Sequence, residues 1–225
     1  MQMLLTMSSC LGSVMMPRAS HLIAENKEDE FNRLIQKSYD FTLAIALPMT
    51  IGLIFCAPSL ITALCGVKFE HSILPSQIIA PIILMVAISN VFGIQVLFPK
   101  GKINIVTLCC GIGAVADLIL NLCLIPFFSY IGTSIAYLGA EVATTVSMYF
   151  IGRKYIPIIY FKKSHLTYAL GCVVMAFALY GLSLLQLPTF TILFLQGCCG
   201  VLAYFIILCI CKDEMLVQVV SKIKR

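Results

Sequence analysis

The sequence predicts an all-α, polytopic transmembrane helix bundle with about seven spanning helices. Of the 225 residues, 60% are hydrophobic and only 11% are charged, whereas about a quarter of the residues of a soluble domain are charged. The apolar residues form long runs, each much longer than the roughly 10-residue alternating strands of a membrane β-barrel. A soluble globule, a disordered chain and a membrane barrel are therefore excluded.

The apolar runs are long enough for spanning helices, which need about 20 residues to cross the hydrocarbon core. The first run is short and lacks the basic flank and the small-residue cleavage site of a signal peptide. We therefore expect a helix whose outer end is missing, in a chain (1–225) that forms one transmembrane domain, the C-terminal half of a longer protein. The predicted spans are roughly 1–17, 41–65, 74–98, 103–127, 130–151, 165–187 and 190–211.

The basic residues predict the orientation of the bundle. All lysines and arginines except Lys68 lie in the loops 18–40, 99–102 and 152–164 or in the tail 212–225. Because cytoplasmic loops are enriched in basic residues, the N-terminus is predicted to face outside and the C-terminus to face the cytoplasm. Loop 18–40 also mixes apolar and charged residues with the spacing of an amphipathic connector helix on the cytoplasmic membrane surface.

Motifs for a metal, a cofactor or a catalytic nucleophile do not occur in the sequence. Most of the 11 cysteines lie inside apolar runs, none forms a C-x-x-C pair, and the three histidines are far apart. H-E-x-x-H, G-x-S-x-G and Walker patterns are also absent. We expect no metal, no cofactor, no nucleic-acid partner and no enzymatic activity, which leaves transport as the favoured class.

Four stretches of the chain resemble a known family of transporters. They are VMMPRASHLIAE (14–25), AIALPMTIGLIF (44–55), the segment 73–102 that ends in QVLFPKGK, and DLILNLCLIPFFSYIGTSIAYLGAE (117–141). In this order they resemble the polysaccharide transporter family, the lipid-linked oligosaccharide flippases that include O-antigen flippases. That family belongs to the superfamily of multidrug, oligosaccharidyl-lipid and polysaccharide exporters.

The resemblance implies a fold of two helical lobes, of which this chain supplies the second. It implies that the protein flips an undecaprenyl-diphosphate-linked oligosaccharide across the bacterial cytoplasmic (inner) membrane for surface polysaccharide, O-antigen or lipopolysaccharide synthesis. Membrane lipids, an N-terminal lobe and a polysaccharide polymerase are the other partners that it implies. Transport by such folds proceeds by alternating access.

Two acidic residues are predicted to lie deep in the membrane, where ionisable groups cost about 2.5–3.5 kcal/mol each and are functional candidates. Asp117 and Glu141 are equally far along the chain from the turn near Ser129. They are therefore level on two antiparallel helices, and Asn121 is level with Tyr137. We expect these four residues and Asn90 to line a transport cavity, with the acids binding a proton or a cation. The alternative is that the acids only tie helices together or pair with a cation of the missing N-terminal lobe.

Three basic residues lie at the predicted cytoplasmic ends of helices: Arg18, Lys100 and Lys102. Because phosphates favour charge-assisted partners, we predict that these residues contact the phosphates of a lipid carrier. The alternative is that they only set the topology of the chain.

Other classes of membrane protein remain as alternatives. A multidrug exporter of the same superfamily is the main one, and a polytopic membrane enzyme is another. A seven-helix receptor has the same orientation, but a retinal protein would need a lysine inside the last span, and 190–211 has none.

Overall fold

The computed structural model describes residues 15–159, 162–185 and 188–211, and these residues form helices and short connections without any strand. A 3₁₀ helix spans Val67–Ser72, and a π-helix spans Val91–Leu97. The α-helices are α1 (15–24), α2 (Glu28–Cys65), α3 (Ile73–Ile79), α4 (Ile82–Asn90), α5 (Ile103–Gly152), α6 (Lys163–Ser183) and α7 (Thr189–Ile210).

Helix α5 is a hairpin of two antiparallel arms rather than one rod. Ser129, at φ 47° and ψ −123°, has a non-helical backbone and reverses the chain. A methyl group added at Gly139 would lie 2.6 Å from Leu120 Cδ1, and one at Gly132 would lie 2.6 Å from the carbonyl oxygen of Leu124. These close approaches show that residues whose numbers sum to about 258 face each other, the pairing predicted for Asp117 and Glu141.

The described helices agree with the predicted spans apart from their ends. Five continuous helical segments are long and apolar enough to cross a membrane, and the reversal in α5 turns its segment into two crossings. The predicted span 1–17 lies outside the described residues except for 15–17, and the tail 212–225 lies outside them completely. The all-helical membrane fold is thus confirmed, while the orientation of the termini stays a prediction.

The structure differs from the sequence prediction in loop 18–40. Its first part is α1, followed by a turn in which Asn26 has a positive φ of 55°. Its second part is continuous with the spanning helix, since α2 begins at Glu28 and ends at Cys65. The physical reason is that acidic residues in the first turn favour a helix start, while Phe31 and Ile35 become completely buried.

The chain forms two compact units. Of the described residues, unit 1 contains 15–46 and 81–159, and unit 2 contains 47–80, 162–185 and 188–211. In unit 1, the ring of Tyr39 stacks on that of Phe92 at 6.4 Å between centroids. Gln36 of α2 binds both backbone polar groups of Ile159, at 2.8 and 3.3 Å, and so fixes the segment that follows the hairpin.

In unit 2, α6 and α7 pack against each other as an antiparallel pair. A methyl group at Gly171 would lie 3.0 Å from the ring of Tyr204, and one at Gly200 would lie 3.2 Å from Met175 Cε. The pair therefore depends on glycines for its close approach. Gln196 of α7 is buried in this unit, and neither of its side-chain polar atoms has a hydrogen-bond partner among the described residues.

Candidate functional site: a polar cavity in unit 1

A cavity of about 520 Å³ lies in unit 1 between the π-helix region and the two arms of the α5 hairpin. Its wall is mostly apolar, with polar groups from each of these elements. Such a combination of apolar walls and few polar groups is typical of ligand sites. The polar or small residues in the lining are Ser89, Asn90, Gly93, Cys110, Gly113, Ala114, Asp117, Tyr137, Ala140, Glu141 and Thr144.

Both deep acidic residues face this cavity, one from each arm of the hairpin. Their arms approach closely because Gly113 has no side chain: an added Cβ would collide with Thr144 Oγ1 and lie 3.3 Å from the carbonyl oxygen of Ala140. Asn121 donates hydrogen bonds from Nδ2 to Asp117 Oδ1 at 3.0 Å and to the Asp117 carbonyl oxygen at 2.9 Å. Asp117 is thus held by a neighbour one turn away.

The ionisable residues that line the cavity are acidic. Its described lining contains Asp117 and Glu141 but no lysine or arginine. Among the residues that the structure describes, no side chain donates a hydrogen bond to the Glu141 carboxyl group. The described part of the chain also has no cluster of three His, Cys, Asp or Glu that could hold a metal ion. The arrangement suits a proton or a monovalent cation, because it concentrates negative charge in an apolar setting.

The wall opposite the hairpin is shaped by the π-helix. Its wide turn is shown by a hydrogen bond across five residues, from Phe98 N to the Gly93 carbonyl oxygen at 2.9 Å. π-Helices occur frequently at functional sites. Here Asn90 and Gly93 line the cavity, while the buried Gln95 accepts a hydrogen bond from Ser38 Oγ at 2.5 Å.

Four of the five predicted cavity residues, Asp117, Glu141, Asn90 and Tyr137, are brought together in the lining. The fifth, Asn121, lies outside the lining and reaches the site through Asp117. Sequence reasoning missed Cys110, which was considered only as a small hydrophobic residue. Its spacing of seven residues from Asp117 places it on the same helix face and could have revealed it.

The three predicted phosphate-contacting cations have different surroundings. Lys100 Nζ donates to the carbonyl oxygen of Tyr155 at 2.9 Å and lies 5.0 Å from the ring centroid of Phe31. Lys102 Nζ lies 5.2 Å from the ring centroid of Tyr155. Arg18 is exposed on α1, and no contact in the described residues joins it to the two lysines. Burial lowers the pKa of Lys100, and the charge of Glu28 opposes this effect.

The sequence of the chain matches the model of a known protein family. The model described as "Lipid II flippase MurJ" matches residues 2–200 of the chain. The chain belongs to the lipid II flippase MurJ family. This membership confirms the prediction of a multi-pass protein of the cytoplasmic membrane, and the flippases of this family are transporters rather than enzymes.

One solved structure and one protein sequence illustrate what this chain is similar to, and the structure agrees with the family at the level of fold. A solved structure titled "Lipid II flippase MurJ, inward closed conformation" superposes with a TM-score of 0.79 at 16% identity, covering 96% of this chain and 45% of that one. An uncharacterized membrane protein of Methanocaldococcus jannaschii is 30% identical over 141 residues, which are 63% of this chain and 26% of the relative. The chain spans less than half the length of both.

The resemblance to polysaccharide transporters is confirmed only in its broader part. The MurJ family is a flippase family of the same superfamily, so a flippase relationship is supported. The narrower assignment to O-antigen flippases, with oligosaccharide as substrate, is not confirmed.

Proposed function

We propose that this chain is the C-terminal half of a flippase that moves a lipid-linked cell-envelope precursor across the cytoplasmic membrane by alternating access. The observation that supports this most strongly is the acidic cavity between the hairpin and the π-helix, in a chain of the MurJ family. Ionisable side chains inside an apolar membrane bundle cost free energy, so their presence indicates a function. Transport is the function that a cavity within the bundle fits best. The family makes lipid II, or a precursor like it, the first candidate substrate.

The acidic pair has the role of a proton or cation site in this proposal. Two carboxyl groups that share one cavity do not easily ionise together, so a proton or a cation that neutralises them would change the preferred state of the bundle. The same negative charge would repel a diphosphate. The phosphates of the substrate are therefore expected to bind elsewhere, with contacts from an N-terminal lobe.

The prediction that Arg18, Lys100 and Lys102 contact carrier-lipid phosphates stays a proposal for Arg18 and Lys102. The ammonium group of Lys100 is already engaged by the carbonyl oxygen of Tyr155 and the ring of Phe31. We expect Lys100 to tie its own loop to Tyr155 and to the start of α2 rather than to bind substrate.

Complementation of a bacterium depleted of its lipid II flippase tests the proposal. The chain is expressed alone and together with the N-terminal half of a MurJ relative, and lipid II that reaches the outer leaflet is measured. Rescue of lipid II transport in either arrangement supports the proposal, and rescue only with the added lobe would show that both halves are required. Normal membrane insertion without transport in either arrangement would contradict lipid II as substrate.

A second candidate substrate is an undecaprenyl-diphosphate-linked oligosaccharide, favoured by the four stretches that resemble polysaccharide transporters. Restoration of surface polysaccharide in an O-antigen flippase mutant, without rescue of lipid II transport, would favour this substrate and a polymerase partner. Drug resistance without either activity would instead favour the multidrug exporter.

A further inference from the structure

The open end of the α5 hairpin brings together cations from both arms. Lys102 directly precedes the first arm, and Arg153 and Lys154 directly follow the second arm, which ends at Gly152. The contact of Lys102 Nζ with the ring of Tyr155, at 5.2 Å, shows that the two ends are adjacent. All three cationic side chains are exposed. They therefore form one positively charged surface around Tyr155.

This surface is not neutralised by the acidic residues near it. The ion pairs of Glu25 are with Lys27, at 2.9 Å, and with His21, at 3.6 Å. Glu28 acts on the half-buried Lys100 instead. Within the part of the chain that the structure describes, no carboxylate lies at ion-pair distance from Lys102, Arg153 or Lys154.

The two ends of the hairpin differ in chemistry. The closed end exposes the aromatic side chains of Phe127, Phe128 and Tyr130 and has no charged residue between Asp117 and Glu141. Aromatic residues are enriched at both membrane–water interfaces, whereas cations are enriched on the cytoplasmic side, so the cationic end fits the cytoplasmic interface. The cationic surface begins one residue beyond the apolar arms, where lipid phosphate groups lie.

We propose that Lys102, Arg153 and Lys154 form a binding surface for the phosphate group of an anionic phospholipid of the surrounding bilayer. Each cation close to an anionic membrane surface strengthens binding, and Tyr155 holds Lys102 in place by a cation–π contact. The surface is open and exposed, so a soluble phosphate would exchange into water, whereas a lipid is kept at this depth by its acyl chains. The proposal is independent of flipping, because binding can be measured on a chain that transports nothing.

Native mass spectrometry of the purified chain in detergent tests this surface, with phosphatidylglycerol as the probe and phosphatidylcholine as the neutral comparison. The variant is Arg153→Gln with Lys154→Gln, which leaves the contact of Lys102 with Tyr155 intact. The control is Lys68→Gln, an exposed cation of the 3₁₀ helix. Helicity measured by circular dichroism confirms that both variants fold.

The wild-type chain is expected to retain phosphatidylglycerol in preference to phosphatidylcholine, and the double variant should bind it roughly tenfold more weakly. The Lys68→Gln chain should bind like the wild type, and added salt should weaken binding to the wild type. Equal retention by the double variant and the wild type would overturn the proposal. So would an equal loss in the control, or displacement of the lipid by millimolar inorganic phosphate.

Discussion

The two compact units each bury one glutamine almost completely, and the surroundings of these residues differ. Gln95 in unit 1 and Gln196 in unit 2 are both 1% exposed. Gln95 accepts a hydrogen bond from Ser38, whereas both polar atoms of Gln196 lack a partner among the described residues. Unit 1 also has the acidic cavity, and the segment 164–210 of the α6–α7 pair contains no Asp, Glu, Lys or Arg.

The difference indicates a division of roles. Unit 1 holds buried polar groups in hydrogen-bonded pairs, and one of these pairs, Asn121 with Asp117, lies at the cavity, as the preorganisation of a functional site requires. Unit 2 is held together mainly by apolar contacts and by the close approach of helices at Gly171 and Gly200. We infer that substitutions in unit 1 affect function and stability together, and that substitutions in unit 2 affect stability alone.

The largest effect on stability is expected at the hairpin. Gly132→Ala places a Cβ 2.6 Å from the backbone oxygen of Leu124, and backbone atoms cannot move aside as a flexible side chain can. We expect a loss of about 3 kcal/mol in the free energy of unfolding, measured by denaturant titration in detergent. Gly111→Ala is the matched control on the same hairpin, because a methyl group there meets nothing within 4 Å.

If Gly132→Ala were as stable as Gly111→Ala, the close pairing of the two arms would be wrong. Gly113→Ala tests the same pairing at the cavity, where the clash is with the Thr144 side chain. It should therefore reduce transport as well as stability.

Substitution of the two buried glutamines by leucine should change the free energy of unfolding in opposite directions. Gln95→Leu removes the hydrogen bond with Ser38 and should destabilise the chain by about 1–2 kcal/mol. Gln196→Leu removes a buried amide without a described partner and should stabilise the chain by about 1 kcal/mol. Unfolding of both variants under identical conditions measures the difference. Destabilisation by Gln196→Leu would show that the comparison between the units is wrong.

A smaller effect is expected within the α6–α7 pair. Gly171→Ala brings a methyl group to 3.0 Å from the ring of Tyr204, and the ring can shift by a few tenths of an ångström. We expect a destabilisation of about 1 kcal/mol with no change in transport. Gly181→Ala, where a methyl group meets nothing within 4 Å, is the control and should not be destabilised. A selective loss of transport in Gly171→Ala would place unit 2 in the functional site.

The smallest effect concerns the exposed ion pair before α2. The hydrogen bond from Lys27 lowers the pKa of Glu25 below its ordinary value of 4.5. Any stabilisation is therefore present above pH 4.5 and is lost as the pH falls through the lowered pKa. Because both side chains are solvated, Glu25→Gln should leave the unfolding transition unchanged at pH 7. A clear shift would show that the turn before α2 is more important than its exposure indicates.

Much of the fold could be predicted from the sequence because long apolar runs indicate the membrane-spanning helices and the basic segments between them indicate the loops. The pairing of Asp117 with Glu141 followed from counting residues on either side of Ser129, since helices have a fixed rise. The continuity of α2 through loop 18–40 could not be predicted in this way. Amphipathic spacing describes a surface helix and the buried start of a spanning helix equally well.

The π-helix and the partners of the buried polar groups also depend on tertiary structure. The sequence of Val91–Leu97 contains no pattern that predicts hydrogen bonds across five residues. The sequence around Gln95 likewise does not predict Ser38 as its hydrogen-bond partner. Lys100 was predicted to meet phosphates, but its hydrogen bond to Tyr155 forms only because the tertiary fold brings residues 55 positions apart together. Residue type predicted the chemistry of these groups, whereas packing determined their partners.

The central claim is that the acidic pair in the unit 1 cavity couples transport to a proton or a cation. Its most direct test is the rate of lipid II flipping by wild type, Asp117→Asn and Glu141→Gln, each with the N-terminal half that supports transport, under varied pH and sodium gradients. The matched control is Glu70→Gln, an exposed acid on the 3₁₀ helix. We expect each cavity variant to lose about tenfold or more in rate and to lose its dependence on the gradient, while the control retains both. Wild-type rates with unchanged gradient dependence in both cavity variants would contradict the account.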